Sequence, residues 1–208
     1  FFSSMNSTEA SSRVYVYLAD DPDVWLPASV LSGEGDGEAV VLVDGRSEPI
    51  TINLKDDIYK STSTTSITTN KHPQTSTQTT TTTPVYSLPL QNTSPSSPTT
   101  PLVLQDLISL PYLHEPAILH NLKSRHEASN PYTMCGDIVI ALNPYQRLPL
   151  YTPALRSGIN ECYIFSASLP PPSSSPVPPH VYATSALAYR SLLLTGKDQS
   201  VLVSGESG

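Results

Sequence analysis

The sequence predicts a mixed α+β / α/β fold: a small antiparallel β module, then the start of an α/β core, with disordered insertions. Residues 13–55 alternate apolar and polar positions between turns rich in Gly and Asp. Residues 102–208 carry two helical patterns and two short apolar runs, a combination typical of α/β cores. Residues 56–101 are dominated by Thr, Ser and Pro and lack apolar periodicity, which is typical of a segment without a core.

The composition excludes several classes of function. The chain has 208 residues with 21 Pro, 9 Gly and a hydrophobic share of 38%, below the roughly 45–50% of globular chains. A net charge of −7 argues against nucleic acid as a partner, which would need clustered Lys and Arg. No apolar run approaches the roughly 20 residues of a membrane span, and the first residues lack the apolar region of a secretory signal. We therefore expect a cytoplasmic protein in which Cys135 and Cys162 are reduced thiols.

The β module spans residues 13–55. Val14, Val16 and Leu18 occupy alternate positions, as expected for a half-buried strand. Further short apolar runs follow at 39–43 and 50–54, each bounded by Gly or Asp turns. This pattern predicts a small antiparallel barrel or sandwich.

Residues 56–101 are predicted to be a disordered surface insertion. The stretch includes an unbroken run of Thr at 79–83, and ordering it would cost about 1–2 kcal/mol of backbone entropy per residue without a core to offset this. A linker role is favoured over a phosphorylation or docking role. Residues 88–92 form a small apolar island that we expect to pack on the body of the protein.

The third part, 102–208, opens with a predicted helix. Pro116 suits its first turn, and the apolar positions indicate one buried face formed by Ile118, Leu119 and Leu122, with Lys123, Arg125 and Glu127 facing outward. Residues 138–142 then form a continuous apolar run, typical of a strand covered on both faces. The strand ends at Asn143.

A Pro- and Ser-rich loop is predicted at about 159–177, followed by a second helix. This helix runs from Val181 to about Leu194 and is ended by Gly196. A short apolar strand at 200–203 then leads into a Gly-x-x-Gly sequence. That sequence corresponds to the first half of the phosphate-binding pattern Gly-x-x-x-x-Gly-Lys-Ser/Thr, in which glycines let backbone N–H groups surround phosphate oxygens. Alone it is a weak motif, because tight turns also produce it.

Four longer stretches support the interpretation of the Gly-x-x-Gly sequence as a phosphate-binding motif. Together they resemble the motor domain of myosins, in the order found in that family. They are LPYLHEPAILHNLKSR from Leu110, GDIVIALNPYQRLPLY from Gly136, PPHVYATSALAYRSLL from Pro178 and DQSVLVSGESG from Asp198. Residues 23–26 and their flanking strands are similar to the SH3-like N-terminal subdomain of many myosins. The resemblance implies a small SH3-like β-barrel followed by the incomplete start of a P-loop NTPase motor core, of a cytoplasmic class V-like or protist type.

The resemblance also implies a nucleotide site. The residues implied for adenine are Asn143, Pro144, Arg147 and Tyr151, and those implied for phosphate are Gly205, Glu206, Ser207 and Gly208. The ligand would be ATP with Mg²⁺. A planar base needs a flat wall and a few edge hydrogen bonds, which the first set supplies. Without the resemblance, the same residues describe an ordinary Asn-Pro turn with a surface Arg and a packed Tyr.

No residue of this chain is assigned a catalytic role, because a phosphate-binding loop acts mainly through position and electrostatics. Glu206 and Ser207 are therefore not interpreted as an acid, base or nucleophile. The four histidines of the third part do not have the spacing of a zinc motif and are interpreted as packing or surface residues: His114, His120, His126 and His180.

The resemblance implies an actin filament as partner in the intact protein, possible light chains, and a cytoskeletal location. The sequence begins without Met and stops within a motif, so we expect an N-terminal fragment that is inactive by itself. Two alternatives stay open at this point. One is a non-enzymatic interaction protein with a β module on a Ser/Thr/Pro-rich tether, and the other is a different P-loop NTPase.

Overall fold

A computed structural model describes residues 12–33, 37–72, 75–166 and 177–205. The chain forms two compact units, residues 1–91 and residues 92–208. In the part described, no helix is long and apolar enough to cross a lipid bilayer.

The first unit is built on a four-stranded antiparallel sheet with strands in sequence order. The strands are β1 (Arg13–Tyr17), β2 (Trp25–Ser32), β3 (Glu38–Val43) and β4 (Ile50–Asn53). Val14 pairs with Ala28, and Val41 pairs with Ile50, so alternate apolar positions fall on one face of the sheet. The predicted antiparallel β module is confirmed.

The core of this unit forms on that face. Its fully buried side chains are those of Val14, Val16, Ala28, Ala39, Val41 and Val43. Leu88 joins them from the apolar island, where Tyr15 N donates to Pro89 O at 2.8 Å and Gln91 N donates to Arg13 O at 2.9 Å. The island therefore packs along β1, as the sequence predicted.

The Thr-rich segment differs from the disorder expected for it. The structure pairs β5 (Lys60–His72) with β6 (Thr75–Tyr86) as an antiparallel hairpin, preceded by a 3₁₀ turn at Asp57–Tyr59. A second, short hairpin, β7 (Thr93–Ser94) with β8 (Ser97–Pro101), starts the second unit. Thr favours extended backbone because it is β-branched. A prediction based on apolar periodicity does not take this preference into account. An isolated two-stranded ladder is only marginally stable in water.

The second unit contains helix α1 (Glu115–Glu127), with His114 as its N-cap and Pro116 in its first turn. The predicted buried face of this helix is wrong. Ile118 and Leu122 are only half-buried and Leu119 is 46% exposed, whereas Arg125 is buried. The guanidinium of Arg125 faces inward because its Nε donates to Thr133 Oγ1 at 2.9 Å and its Nη2 donates to Tyr132 O at 2.8 Å. Apolar spacing alone does not reveal such partners.

Strands β9 (Tyr132–Cys135) and β10 (Ile138–Ala141) form an antiparallel hairpin that turns at Gly136, whose φ is +60°. The prediction of a strand covered on both faces is wrong for the described residues. Ile138 is 67% exposed, and β10 pairs with β9 alone. The side chains of this apolar run are therefore exposed or half-buried and do not fill a core.

The loop predicted at 159–177 begins later than expected. Helix α2 (Pro153–Asn160) continues into a π-helical turn at Glu161–Phe165. Thr152 caps α2, and the side chains of Ile159 and Tyr163 pack against Ala183 and Ala186 of helix α3 (Val181–Thr195). The Pro- and Ser-rich part at 167–176 lies outside the described residues.

The end of α3 agrees with the prediction, since Gly196 adopts φ +64° and its N–H donates to Leu192 O at 2.9 Å. The strand predicted at 200–203 is absent from the described structure. Leu202 is 91% exposed, and no strand of the described part pairs with this segment. A strand requires a neighbour for its backbone hydrogen bonds, so an apolar sequence is not sufficient.

Candidate functional site

The four predicted adenine residues lie on one loop between β10 and α2. Asn143 Oδ1 accepts a hydrogen bond from Tyr145 N at 2.8 Å, forming an Asx turn. Tyr145 has φ +51° and is 89% exposed. A positive φ at a non-glycine residue is uncommon and is often found where backbone geometry serves a site. The Asn side chain stabilises this local turn.

The start of the loop is tied to α1 and to the segment that follows this helix. His126 Nε2 donates to Asn143 O at 2.9 Å, and Leu142 N donates to Pro131 O at 2.9 Å. Pro144 is half-buried, whereas Arg147 is exposed and has no hydrogen bond or ion pair in the part of the chain described. The loop thus has an anchored beginning and an accessible cation in its middle.

Tyr151 ends the loop and is its best-supported side chain. Its hydroxyl is 2.6 Å from the hydroxyl of Tyr132 on β9. Its ring makes edge-on contacts with His180 at 5.5 Å and Tyr182 at 6.0 Å between centroids. Despite these contacts, Tyr151 is 60% exposed. An aromatic ring held on one side and open on the other can contact a planar ligand.

His180 forms the centre of this aromatic cluster, which consists of Tyr132, Tyr151, His180 and Tyr182. It is 1% exposed and caps α3, with Nδ1 accepting from Tyr182 N at 3.0 Å. Its pKa is lowered by burial, and the Leu150 carbonyl opposes this in part, although Nε2 makes no hydrogen bond of normal geometry within the described residues. The neutral imidazole, with Nδ1 as acceptor, is therefore the form that fits the cap.

Tyr132 is the buried partner of Tyr151, being 8% exposed. Burial first, and then the hydrogen bond with Tyr151, raise the pKa of its phenol well above the ordinary value. The Tyr132 hydroxyl thus stays protonated near neutral pH, and a phenol hydroxyl can donate one hydrogen bond while accepting another.

Two cavities flank this region. A small one of about 40 Å³ lies beside His180 and is lined by Arg125, Tyr132 and Leu150 among others. A larger groove of about 510 Å³ runs between β10, α3 and residues 199–202. Neither is lined by Asn143, Pro144, Arg147 or Tyr151, nor by Gly205. The structure therefore gathers the predicted adenine residues on one loop without joining them to the predicted phosphate residues in either cavity.

The predicted phosphate residues are described only at their first position. Gly205 is exposed, and a Cβ placed on it would meet nothing within 4 Å. Glu206, Ser207 and Gly208 lie outside the described residues. Among those described, no group of three or more His, Cys, Asp or Glu side chains is placed to hold a metal ion. We therefore assign none of the described residues to Mg²⁺.

The sequence alone does not indicate the contribution of Tyr132 and His180. It predicts a packing or surface role for His180, whose contact with three tyrosines depends on β9 and the 143–151 loop. A weak local signal existed, since Pro-Pro-His immediately before a helical pattern places a side chain acceptor at the N-cap. Nothing local indicates Tyr132.

Comparison with known proteins places these residues in a family. The profile described as "Myosin head (motor domain)" matches residues 104–208. The chain is similar to unconventional myosin-Vb of Homo sapiens, with 42% identity over 104 residues that cover 50% of the chain and 5% of the relative. It is also similar to unconventional myosin-Vb of Rattus norvegicus, with 31% identity over 209 aligned positions that cover 98% of the chain and 9% of the relative.

A protist relative shows the same pattern. The myosin-H heavy chain of Dictyostelium discoideum is 41% identical over 105 residues, covering 50% of the chain and 5% of the relative. The chain thus spans less than a tenth of the length of each of these three relatives.

Proposed function

Because this chain belongs to the myosin head (motor domain) family, we propose that the full-length protein containing it hydrolyses ATP and moves along actin filaments. The family match over 104–208 carries this proposal. The two alternatives, an interaction module on a tether and a different P-loop NTPase, leave that match unexplained. The same membership supports a cytoskeletal location in the cytoplasm, and light chains are possible further partners.

In this proposal, residues 143–151 form the adenine side of the nucleotide site. Asn143 stabilises the turn, Pro144 and Arg147 flank the base, and Tyr151 offers its ring edge or hydroxyl. The support is geometric: the Tyr151 hydroxyl is anchored 2.6 Å from that of Tyr132, while the side chain stays 60% exposed. Tyr151 therefore combines a fixed orientation with an accessible ring, as a base-binding residue requires.

Residues 205–208 form the phosphate side, in which backbone N–H groups would surround phosphate oxygens. Gly205 is compatible with this role, because it is exposed and nothing crowds its α-carbon. ATP bound with Mg²⁺ would supply the phosphoryl group, and this chain would contribute binding and orientation rather than proton transfer.

The four-stranded module would be an SH3-like subdomain that precedes the motor core in the sequence. Its meander order and its buried apolar face support a small barrel-like module. We assign it no nucleotide contact.

Two measurements on the full-length protein test the proposal. The first is phosphate release from ATP with and without actin filaments, for which we expect stimulation by actin. The second compares the affinities for ADP and for pyrophosphate, which has no base. Tyr151→Ala should weaken ADP binding about 5- to 150-fold, since an aromatic contact with a base contributes about 1–3 kcal/mol.

Pyrophosphate affinity should not change in that variant. Tyr189→Ala is the matched control, because Tyr189 lies on α3 and is 51% exposed. ATP turnover that is absent under all conditions would refute the motor assignment. Unchanged ADP affinity in Tyr151→Ala would refute the adenine site alone.

A further inference from the structure

The side chain proposed to meet adenine is not held by its own loop. Tyr151 makes its hydroxyl contact with Tyr132, which lies on β9, nineteen residues earlier. It makes ring contacts with His180 and Tyr182 at the start of α3. Its orientation is therefore determined by two other elements of the second unit.

The contact with Tyr132 restrains the hydroxyl of Tyr151. Tyr132 is 8% exposed, so its ring cannot turn away into solvent, and its own backbone carbonyl accepts from Arg125 Nη2 at 2.8 Å. The 2.6 Å separation of the two hydroxyl oxygens is a normal hydrogen-bond distance for O–H···O. With one bond used by Tyr132, the Tyr151 hydroxyl keeps a defined direction for a second partner.

His180 restrains the ring. Its imidazole is oriented by the bond from Tyr182 N to Nδ1, which belongs to the cap of α3. In that orientation its centroid is 4.8 Å from that of Tyr132 and 5.5 Å from that of Tyr151. Edge-on aromatic contacts at these distances are favourable and directional. His180 thus supports the inner side of Tyr151 and leaves the outer side open.

We propose that Tyr132 and His180 are positioning residues for the adenine base, acting through Tyr151. The inference rests on the proposed nucleotide function, in which Tyr151 contacts the base directly. Tyr132 sets the direction of the Tyr151 hydroxyl, and His180 sets the plane of its ring. Among the described residues, the charged or titratable groups near His180 are Arg125 on α1, Tyr132 on β9, Tyr151 on the loop and Tyr182 on α3. None of these is a carboxylate, so the neutral imidazole is favoured.

A double-mutant cycle on the full-length protein tests this. The affinities for ADP and for pyrophosphate are measured for Tyr132→Phe, Tyr151→Phe and the double variant. Tyr132→Phe should weaken ADP binding about three- to tenfold, the effect of one hydrogen bond, and leave pyrophosphate binding unchanged. In the Tyr151→Phe background, the same change should weaken ADP by less than about twofold, because interacting residues are not additive.

His180→Asn keeps a side-chain acceptor at the N-cap and removes the ring. It should also weaken ADP severalfold while sparing pyrophosphate. Tyr189→Phe removes a hydroxyl from the same helix at an exposed position and should change neither affinity. A variant that fails to fold would lose pyrophosphate binding as well as ADP binding. The positioning role would then be tested with the remaining variants.

The outcomes separate the two proposals. If Tyr151→Phe and Tyr151→Ala leave ADP affinity unchanged, the adenine site is refuted, and the positioning role with it. If Tyr151→Ala weakens ADP but Tyr132→Phe and His180→Asn do not, the positioning role alone is overturned. Equal effects of Tyr132→Phe with and without Tyr151→Phe would also overturn it, since Tyr132 would then act independently of Tyr151.

Discussion

Replacing Asn121 with leucine removes two hydrogen bonds between a buried side chain and the backbone of Leu104. Asn121 lies in α1 and is 1% exposed. Its Oδ1 accepts from Leu104 N at 2.7 Å, and its Nδ2 donates to Leu104 O at 3.1 Å. The amide thereby pairs both backbone groups of a residue that lies outside the described helices and strands. Leucine has a similar size but can make neither bond.

The expected magnitude follows from these two bonds. A buried polar group that loses its partner costs about 1–3 kcal/mol, and Leu104 is half-buried, so each bond falls toward the lower end. The new apolar side chain offsets part of the loss. We expect the local opening free energy at residue 104 to drop by about 1–2 kcal/mol. At about 1.4 kcal/mol per tenfold, this corresponds to roughly 5- to 30-fold faster amide exchange.

Hydrogen–deuterium exchange of the full-length protein, read on peptides covering 102–108, measures this change locally. Gln105→Leu is the matched control, because it makes the same amide-to-alkyl change at an exposed neighbour of Leu104. The control should change exchange by less than about threefold. Equal exchange in Asn121→Leu and the parent would refute the reasoning, and so would an equally large effect of Gln105→Leu.

Three further substitutions test other parts of the second unit, each read by unfolding of the chain. Arg125→Met removes two buried hydrogen bonds and should lower the free energy of unfolding, measured in urea, by about 2–3 kcal/mol. The control Arg156→Met, at an exposed position, should lower it by less than about 0.5 kcal/mol. Equal losses in the two variants would contradict the buried role of Arg125. Ile159→Ala, at a position with 0% exposure, should cost about 2–5 kcal/mol, and Leu194→Ala, 72% exposed, should cost far less. Burial lowers the pKa of His180, so below about pH 6.5 the folded state binds fewer protons than the unfolded chain, and stability should fall as pH drops through the lowered pKa. Melting temperatures across a pH series should show a smaller acid loss in His180→Asn; an undiminished loss would assign the effect to other groups.

The sequence predicted those strands and helix ends that are determined by a few adjacent residues. Alternation at Val14 and Val16 predicted β1, and Pro116 and Gly196 marked a helix start and a helix end. The motifs around Leu110 and Pro178 predicted the family, which the match over 104–208 confirms. Local causes suffice here because strand alternation, N-terminal Pro and left-handed Gly are properties of a few adjacent residues.

Only the tertiary structure decided which polar groups are satisfied and which apolar runs are covered. Arg125 faces inward because Thr133 and the Tyr132 carbonyl receive its donors. Residues 200–203 form no strand, because within the described residues no neighbour pairs with them. Tyr151 obtains its orientation from β9 and α3. In each case the deciding partner is distant along the chain, and the periodicity of a short segment carries no information about a distant partner.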